Sequence, residues 1–341
     1  MTIRFIQVGI GGWGSGWLRT LIESNLGVEL VAYVDSKSEA LQHAQTIHTL
    51  PAERCFTRLE DALDTVEADA VLIVTDLPTH VPLALLALKY GKHVLMEKPF
   101  AQTLLEARQV VSEAEQQSRV LMISQTYRFS PQAQVAAELV RTTPLGAVGT
   151  INIDFRRDLS HETRNHRIWQ PLLANLTVHH FDLMRMVLAQ EPRQVLCQTW
   201  NPPWSKYSDP ASAVATVTFP GGTVVNYRGS AVSTGPTTLW SDEWHMECAG
   251  GEIIWTSPGP DGQSIPAAVT IRPFGQEPYP AELPELPYTE RTGVLEAFLR
   301  AIQTGEEPEC SGRDNLGTLA LVMAAVESAN KGQSISLDVS H

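Results

Sequence analysis

Two side chains in this sequence are of the right type and setting to move a proton at a substrate hydroxyl. Lys98 stands in Glu97-Lys98-Pro99, directly after the apolar run His93-Val94-Leu95-Met96. A lysine at the end of a buried strand holds its ammonium at a crevice mouth, where it can bind a hydroxyl and favour its alkoxide by charge. Taken alone, Glu-Lys-Pro also reads as a surface loop. His179 stands in Asn175-Leu176-Thr177-Val178-His179-His180-Phe181-Asp182. On a helix, Asn175, His179 and Asp182 would share one face at i, i+4 and i+7. An imidazole between an amide and a carboxylate is a general acid or base with an orienting partner. The same spacing suits a buried structural histidine, and His180 points elsewhere on the helix as a structural residue.

The elements that would position these groups begin at Phe5-Ile6-Gln7-Val8-Gly9-Ile10-Gly11-Gly12-Trp13-Gly14, an apolar run entering Gly-x-Gly-x-x-Gly. Gly9 permits a tight turn, Gly11 lets the backbone approach a diphosphate, and Gly14 lets the next helix pack on the strand. Gly12 and Trp13 complete a loop whose free N–H groups and helix dipole face an anion. Val28 to Val34 reads as a second strand, closed by Asp35 about 20 residues on, where a ribose-binding carboxylate belongs. Ser36 beside it is either a cap or a ribose neighbour. Asp35 favours NAD because a carboxylate repels a 2′-phosphate, while Lys37 leaves room for NADP. The plainer reading is that the glycines only turn the chain and Asp35 only starts a helix.

Ala70 to Thr75 is a continuous apolar run, as in a buried parallel strand. Val81 to Tyr90 reads as a helix ended by Gly91, and Val120 to Ser124 as another strand. Capping boxes at Ser36-x-x-Glu39 and Thr103-x-x-Glu106 open further helices. This alternation predicts a doubly wound parallel sheet over residues 1–124, with ligands at the carboxyl ends of its strands. The loops at Gly9 to Gly14, Asp35, Thr75 to His80 and Glu97 to Pro99 all lie at such ends.

From residue 125 the pattern changes. A helix over about 131–141 precedes alternating runs such as Thr150 to Arg156 and Val214 to Phe219, the latter turning through Pro220-Gly221-Gly222 into Thr223 to Arg228. Residues 125–341 are therefore expected to form an α+β domain with a large, mostly antiparallel, open sheet. Helices over about 171–188 and 290–330 would cover one face, leaving the other for water or another subunit. Trp240, Trp244 and Trp255 lie in this sheet region, either as part of a homodimer or homotetramer contact or as ordinary core residues. Residues 257–288, rich in proline, read as an irregular surface crossing.

The composition narrows the partners. A chain of 341 residues suits two domains, and 43% hydrophobic with 18% charged residues is globular. No run reaches the roughly 18 apolar residues of a membrane helix, and Met1 to Phe5 leaves no room for a signal peptide before the first strand. A cytoplasmic protein is expected. Cys55, Cys197, Cys248 and Cys310 are scattered without Cys-x-x-Cys, which indicates neither a disulfide framework nor a metal site. A net charge of −13 disfavours nucleic acid and acidic lipid as partners and favours small molecules.

Together, Gly9-x-Gly11-x-x-Gly14, Asp35, Thr75 with His80, Glu97-Lys98-Pro99, Tyr127-Arg128-Phe129-Ser130-Pro131 and His179-x-x-Asp182-Leu183-x-Arg185 resemble the glucose-fructose oxidoreductase, inositol dehydrogenase and MocA (Gfo/Idh/MocA) family. Phe298-Leu299-x-Ala301-Ile302-x-x-Gly305 and Ser311-Gly312-Arg313-Asp314 extend the resemblance to nearly the whole chain. The resemblance implies a Rossmann domain, a C-terminal domain with a large open sheet, and NAD(P)-dependent oxidation or reduction of a sugar, polyol or related compound. It implies catalytic roles for Lys98 and His179, with Asn175 beside them, a cis bond before Pro99, and Tyr127 as a substrate contact. Thr75, His80 and Glu97 join the cofactor residues. Two departures stand out: Asn175 replaces the aspartate of many members and cannot take up a proton, and Asp76 replaces a proline beside the nicotinamide loop.

For the substrate, Arg156, Arg157, His161, Arg164, His166, Arg167 and Trp169 form a basic and aromatic segment in an acidic chain. Arg156 and Arg164 could hold sugar hydroxyls or a carboxylate, and Trp169 could stack on a sugar ring. The segment reads equally as a solvated loop. Other functions open on this fold are a non-catalytic dinucleotide-binding regulator, favoured by Asn175, and an NAD-dependent glycoside hydrolase.

Overall fold

In the computed structural model, which describes residues 2–162, 166–256 and 268–337, the chain divides into two units. The first holds Met1–Thr126 with Pro287–Leu316, the second Tyr127–Leu286 with Gly317–His341.

The amino-terminal segment alternates strand and helix: β1 (Ile3–Val8), α1 (Gly12–Glu23), β2 (Val28–Val34), α2 (Ser38–His48), β3 (Cys55–Phe56), α3 (Leu59–Thr65), β4 (Ala70–Ile73), α4 (His80–Lys89), β5 (His93–Glu97), α5 (Leu104–Gln116) and β6 (Leu121–Ser124). The strands are all parallel in the order β3-β2-β1-β4-β5-β6. β4 and β6 are buried at every position, as strands covered on both faces must be. The strand order reverses between β1 and β4, so the carboxyl ends of β2, β1, β4 and β5 stand side by side at the switch point. This is the expected doubly wound sheet. Thr103 caps α5, accepting the Glu106 N–H at 3.2 Å and donating to its carboxylate at 3.0 Å. The box expected at Ser36 does not form, because α2 starts after Lys37 without a side-chain cap. The Lys37 N–H is instead taken by Asp35 at 3.0 Å.

The second unit contains α6 (Pro131–Thr142), β7 (Val148–Arg156), α7 (Thr177–Leu188), β8 (Gln194–Trp200), β9 (Ser212–Thr218), β10 (Val224–Ser230), β11 (Glu243–Cys248), β12 (Gly251–Thr256), β13 (Ala268–Pro273) and β14 (Tyr279–Pro280). Then come α8 (Glu290–Thr304), which belongs to the first unit, α9 (Gly312–Lys331) and β15 (Ile335–Ser336). The strands form one sheet in the order β14-β13-β12-β11-β7-β10-β9-β8-β15, antiparallel except for β7 beside β10. Along β7, Ile151, Ile153 and Phe155 are buried in one core with Val178, Phe181 and Met184 of α7. Period-two alternation sends Asn152, Asp154 and Arg156 to the opposite, open face.

Three expectations need correction. Residues 125–341 are not one domain, since Pro287–Leu316 belong with the first unit. The cause is the apolar stripe of α8, whose Phe298 meets Phe5 of β1 with ring centroids 6.0 Å apart. The helix expected from residue 171 begins only at Thr177. In the proline-rich stretch, residues 257–267 lie outside the described residues, but 268–273 is a ladder strand, with Val269 and Ile271 buried. Of the two readings open for the tryptophans, Trp244 and Trp255 take that of core residues, stacked with centroids 5.6 Å apart, while Trp240 is half-exposed under Arg157.

Candidate functional site

In the first unit the loop after β1 is shaped by what its glycines exclude. A Cβ on Gly9 would lie 2.1 Å from the Val74 carbonyl oxygen, and one on Gly14 would lie 2.2 Å from the Gly9 oxygen. Gly9 also has φ +85°, open to glycine without strain. A Cβ on Gly11, by contrast, would meet nothing within 4 Å. The buried Gln7 amide pins the loop from behind, donating to Gly9 O at 3.0 Å and Gly14 O at 2.8 Å. α1 then opens with Gly11 as an N-cap that has no side-chain partner and no acid in its first turn. Its first N–H groups are therefore available to an anion, with open space before them, and these residues fit a cofactor diphosphate.

Asp35 closes the cradle. Its two oxygens accept the Ile10 N–H at 3.1 Å and the Lys37 N–H at 3.0 Å, which fixes the carboxylate at the end of β2. Thr75 lies at the end of β4, where its hydroxyl accepts a hydrogen bond from Thr79 at 2.8 Å. His80 is enclosed, its Nδ1 2.8 Å from Pro99 O and its Nε2 2.9 Å from Thr75 O. It ties the loop after β4 to the loop after β5 and so positions them, with burial pushing its imidazole below the ordinary histidine range. Ser36 and Trp13 are exposed at the rim.

Lys98 follows β5, and its bond to Pro99 is cis, as the resemblance implies. Burial lowers the Lys98 ammonium below the usual lysine range, against the pull of Glu97. The buried Glu97 carboxylate takes the Trp17 indole N–H at 2.6 Å, the Ser124 hydroxyl at 3.1 Å and the Lys98 N–H at 3.2 Å. Glu97 is thus a support beneath Lys98. Trp17, on α1, is the partner that sequence reasoning missed, for nothing in the spacing joins it to a carboxylate on β5.

In the second unit His179 is buried in the first turn of α7, and Tyr127 stacks on its ring with centroids 4.3 Å apart and planes at 28°. The one-face reading of Asn175, His179 and Asp182 does not hold. Asn175 precedes the helix, whose N-cap is Leu176. Asp182 takes two bonds from Arg128 at 2.6 and 2.7 Å and one from Thr318 at 2.9 Å. It is a structural carboxylate. His180 anchors α7 to the sheet, with Nδ1 2.8 Å from the Tyr227 hydroxyl, which lies 3.0 Å from the Thr177 hydroxyl. Its Nε2 lies 3.0 Å from Trp240 O and 3.1 Å from Asp242. Burial pushes both Tyr227 and Asp242 well above their ordinary ranges.

The basic segment divides. Arg156 projects to the open face of the sheet and pairs with Glu243 at 2.7 Å, away from the face that carries α7. Alternation along β7 decides this, and it removes Arg156 from the company of His179. Arg157 lies 4.2 Å over the Trp240 ring, and Trp169 is 45% exposed. Arg164 lies outside the described residues. On the open face, a concavity of about 600 Å³ is lined by Asp154, Arg156, Leu196, Val214, Arg228 and His245, among others.

Two family models match this chain. One, described as an oxidoreductase family with an NAD-binding Rossmann fold, covers residues 3–125. The other, the GFO/IDH/MocA C-terminal domain, covers residues 133–253. The inositol 2-dehydrogenase of Rhizobium meliloti is 26% identical across 99% of this chain and 100% of its own length. The D-apiose dehydrogenase of Paraburkholderia graminis is 26% identical across 91% of this chain and 84% of its own. Among solved structures, the aldose-aldose oxidoreductase of Caulobacter crescentus, complexed with glycerol, aligns with a TM-score of 0.85 at 21% identity, covering 99% of this chain and all of that one. An oxidoreductase of Agrobacterium radiobacter in complex with NAD+, L-tartaric acid and magnesium aligns at 0.85 and 20%, covering 98% of both chains. At these identities the structures speak for the fold.

Proposed function

The chain belongs to the GFO/IDH/MocA family of oxidoreductases, with an NAD-binding Rossmann domain at its amino end, and from that premise we propose that it transfers hydride between NAD(H) and a carbinol carbon of a sugar, cyclitol or related polyol. The observation that carries this reading is Lys98, seated on buried Glu97 at the end of β5, in the same unit as the glycine loop and Asp35. The names of the inositol and apiose dehydrogenases support the substrate class.

When bound, the nicotinamide ring supplies the hydride acceptor or donor. Lys98 binds the substrate hydroxyl oxygen and stabilises the alkoxide by charge, an interaction that strengthens as the negative charge develops. His179 takes the hydroxyl proton in the oxidative direction, its ring steadied by Tyr127. Asn175 can offer or accept a hydrogen bond but no proton, so proton transfer rests on Lys98 and His179. Tyr127, Trp169 and Arg164 are proposed as substrate contacts. Asp35, with its carboxylate fixed by two N–H groups, favours NAD over NADP.

The test is absorbance of reduced nicotinamide with purified protein, NAD or NADP, and a panel of inositols, aldoses, glycosides and sugar acids. Growth of the band with NAD and one polyol or sugar is expected. Lys98→Met and His179→Ala should each lower kcat by about a hundredfold or more with cofactor Kd little changed. Unchanged turnover in the double variant would overturn the roles. Cofactor binding without any turnover would point to a regulator, and glycoside cleavage without net NADH to a hydrolase.

We infer also that the open face of the large sheet pairs with a second copy of the chain. Leu196 and Val214 stand exposed there among ion-paired side chains, Arg228 with Asp154 and Arg156 with Glu243. A mass of two or more chains by light scattering, reduced by Leu196→Lys with Val214→Lys, is the expected result; a wild-type monomer would refute it.

A further inference from the structure

The glycine loop has a cation beside it to which the proposed chemistry assigns no role. Arg291 is the second residue of α8, and its guanidinium carbon lies 4.1 Å from the centroid of the ring of Trp13, in the first turn of α1. A Cβ on Gly16 would stand 3.0 Å from its Nη1. The guanidinium therefore rests against the first turns of α1, where the absence of a side chain at Gly16 leaves it space.

This is a costly place for a positive charge. α1 has no acid in its first turn and no side-chain cap, so the positive end of its dipole is uncompensated there. Arg291 is also in the first turn of its own helix, where Glu290 is the acidic residue. Among the described residues no carboxylate forms an ion pair with Arg291, and its Nε is buried without a hydrogen-bond partner. The face of Trp13 offsets part of this cost through its ring electrons. An anion would reverse the sign of every one of these terms, because the helix N–H groups and the guanidinium would then face opposite charge. The planar fork of arginine matches two oxygens of one phosphate.

We propose that Arg291 is a diphosphate-binding residue, carried by α8 to complete an anion site begun by the glycine loop. The inference rests on cofactor binding at that loop and adds to it a side chain from about 280 residues further along the chain. Trp13 holds the guanidinium in place, and the open space before Gly11 admits the ligand.

The experiment is calorimetric titration of the full chain with NAD and with ADP-ribose, which carries the diphosphate without the nicotinamide. Arg291→Met keeps the bulk of the stem and should raise Kd for both ligands about tenfold. It should also flatten the dependence of Kd on NaCl, which a packing role would not alter. Arg291→Lys should keep the salt dependence and recover part of the affinity, and it serves alone if the methionine variant fails to fold. Affinity and salt dependence equal to wild type in Arg291→Met would overturn the proposal. So would equal weakening in both variants with the salt dependence intact. Those outcomes leave NAD binding standing; a wild type that binds neither ligand would remove the premise together with the proposal.

Discussion

The two units bury polar groups in opposite ways. In the first, buried groups meet neutral donors and the main chain: Glu97 is served by Trp17, Ser124 and a backbone N–H, Gln7 by two carbonyls, His80 by two more. In the second, full charges face one another. Arg128 grips Asp182, and Arg185 reaches Glu191 and Thr318. The cofactor cradle thus owes its shape to glycine sterics and backbone bonds within short stretches. The helix that presents His179 owes its place to charges far apart in sequence, whose partners cannot be removed singly without leaving a buried ion.

The strongest way to break that comparison is Arg128→Met. Both partners are buried, with side chains 6% and 1% exposed, and stranding the Asp182 carboxylate should cost about 3–5 kcal/mol. Thr318 at 2.9 Å and Arg185 at 4.0 Å remain beside it, which places the expected loss at the lower end of that range. Hydrogen exchange should show the second unit opening first, while NAD affinity, set in the first unit, holds. Adding Asp182→Leu should restore part of the stability by removing the orphaned charge. Equal loss of protection in both units would mean that they do not differ in this way.

The same difference explains what the sequence disclosed. The loop at Gly9, Gly11 and Gly14 was legible because its constraints are steric and local, and Asp35 because the strand length fixes its distance. Lys98 was legible from the buried strand before it. Asp182 was misread, since its partner Arg128 is 54 residues away and helical spacing alone pointed it at His179. Asn175 fell outside the helix because α7 starts where Thr177 and His180 meet Tyr227, a contact with no local signature. Alternation along β7 was visible, but which face met helices was not, so nothing local showed that Arg156 would pair with Glu243 on the open face. The proline bias around β13 hid a ladder strand, and the stripe of α8 did not say which sheet it would cover.

A smaller effect sharpens the comparison through pH. His93 begins β5, and its neutral Nδ1 accepts the Val120 N–H at 3.0 Å. Burial, reinforced by the charge of Arg119, brings its pKa down to about 4. The unfolded chain binds this proton more readily than the folded one, so the contribution is complete above the ordinary histidine pKa and shrinks as pH falls from about 6.5 towards about 4. By about pH 5 the loss should approach 2 kcal/mol. Asp242 in the second unit has the opposite sign. Its carboxyl is raised well above the usual range by burial, and by the charge of Asp154, so mild acid relieves a buried charge there instead of creating one. Exchange protection measured from neutral pH to about pH 5 should therefore fall in the first unit and hold or rise in the second. His93→Asn, which keeps an acceptor for Val120 without a titrating ring, should remove the His93 share of the acid-side loss in the first unit and leave the share of the buried His80, whose imidazole is also held below the ordinary range. If wild type and His93→Asn lose protection alike on acidification, the neutral imidazole is not what ties the first unit to pH.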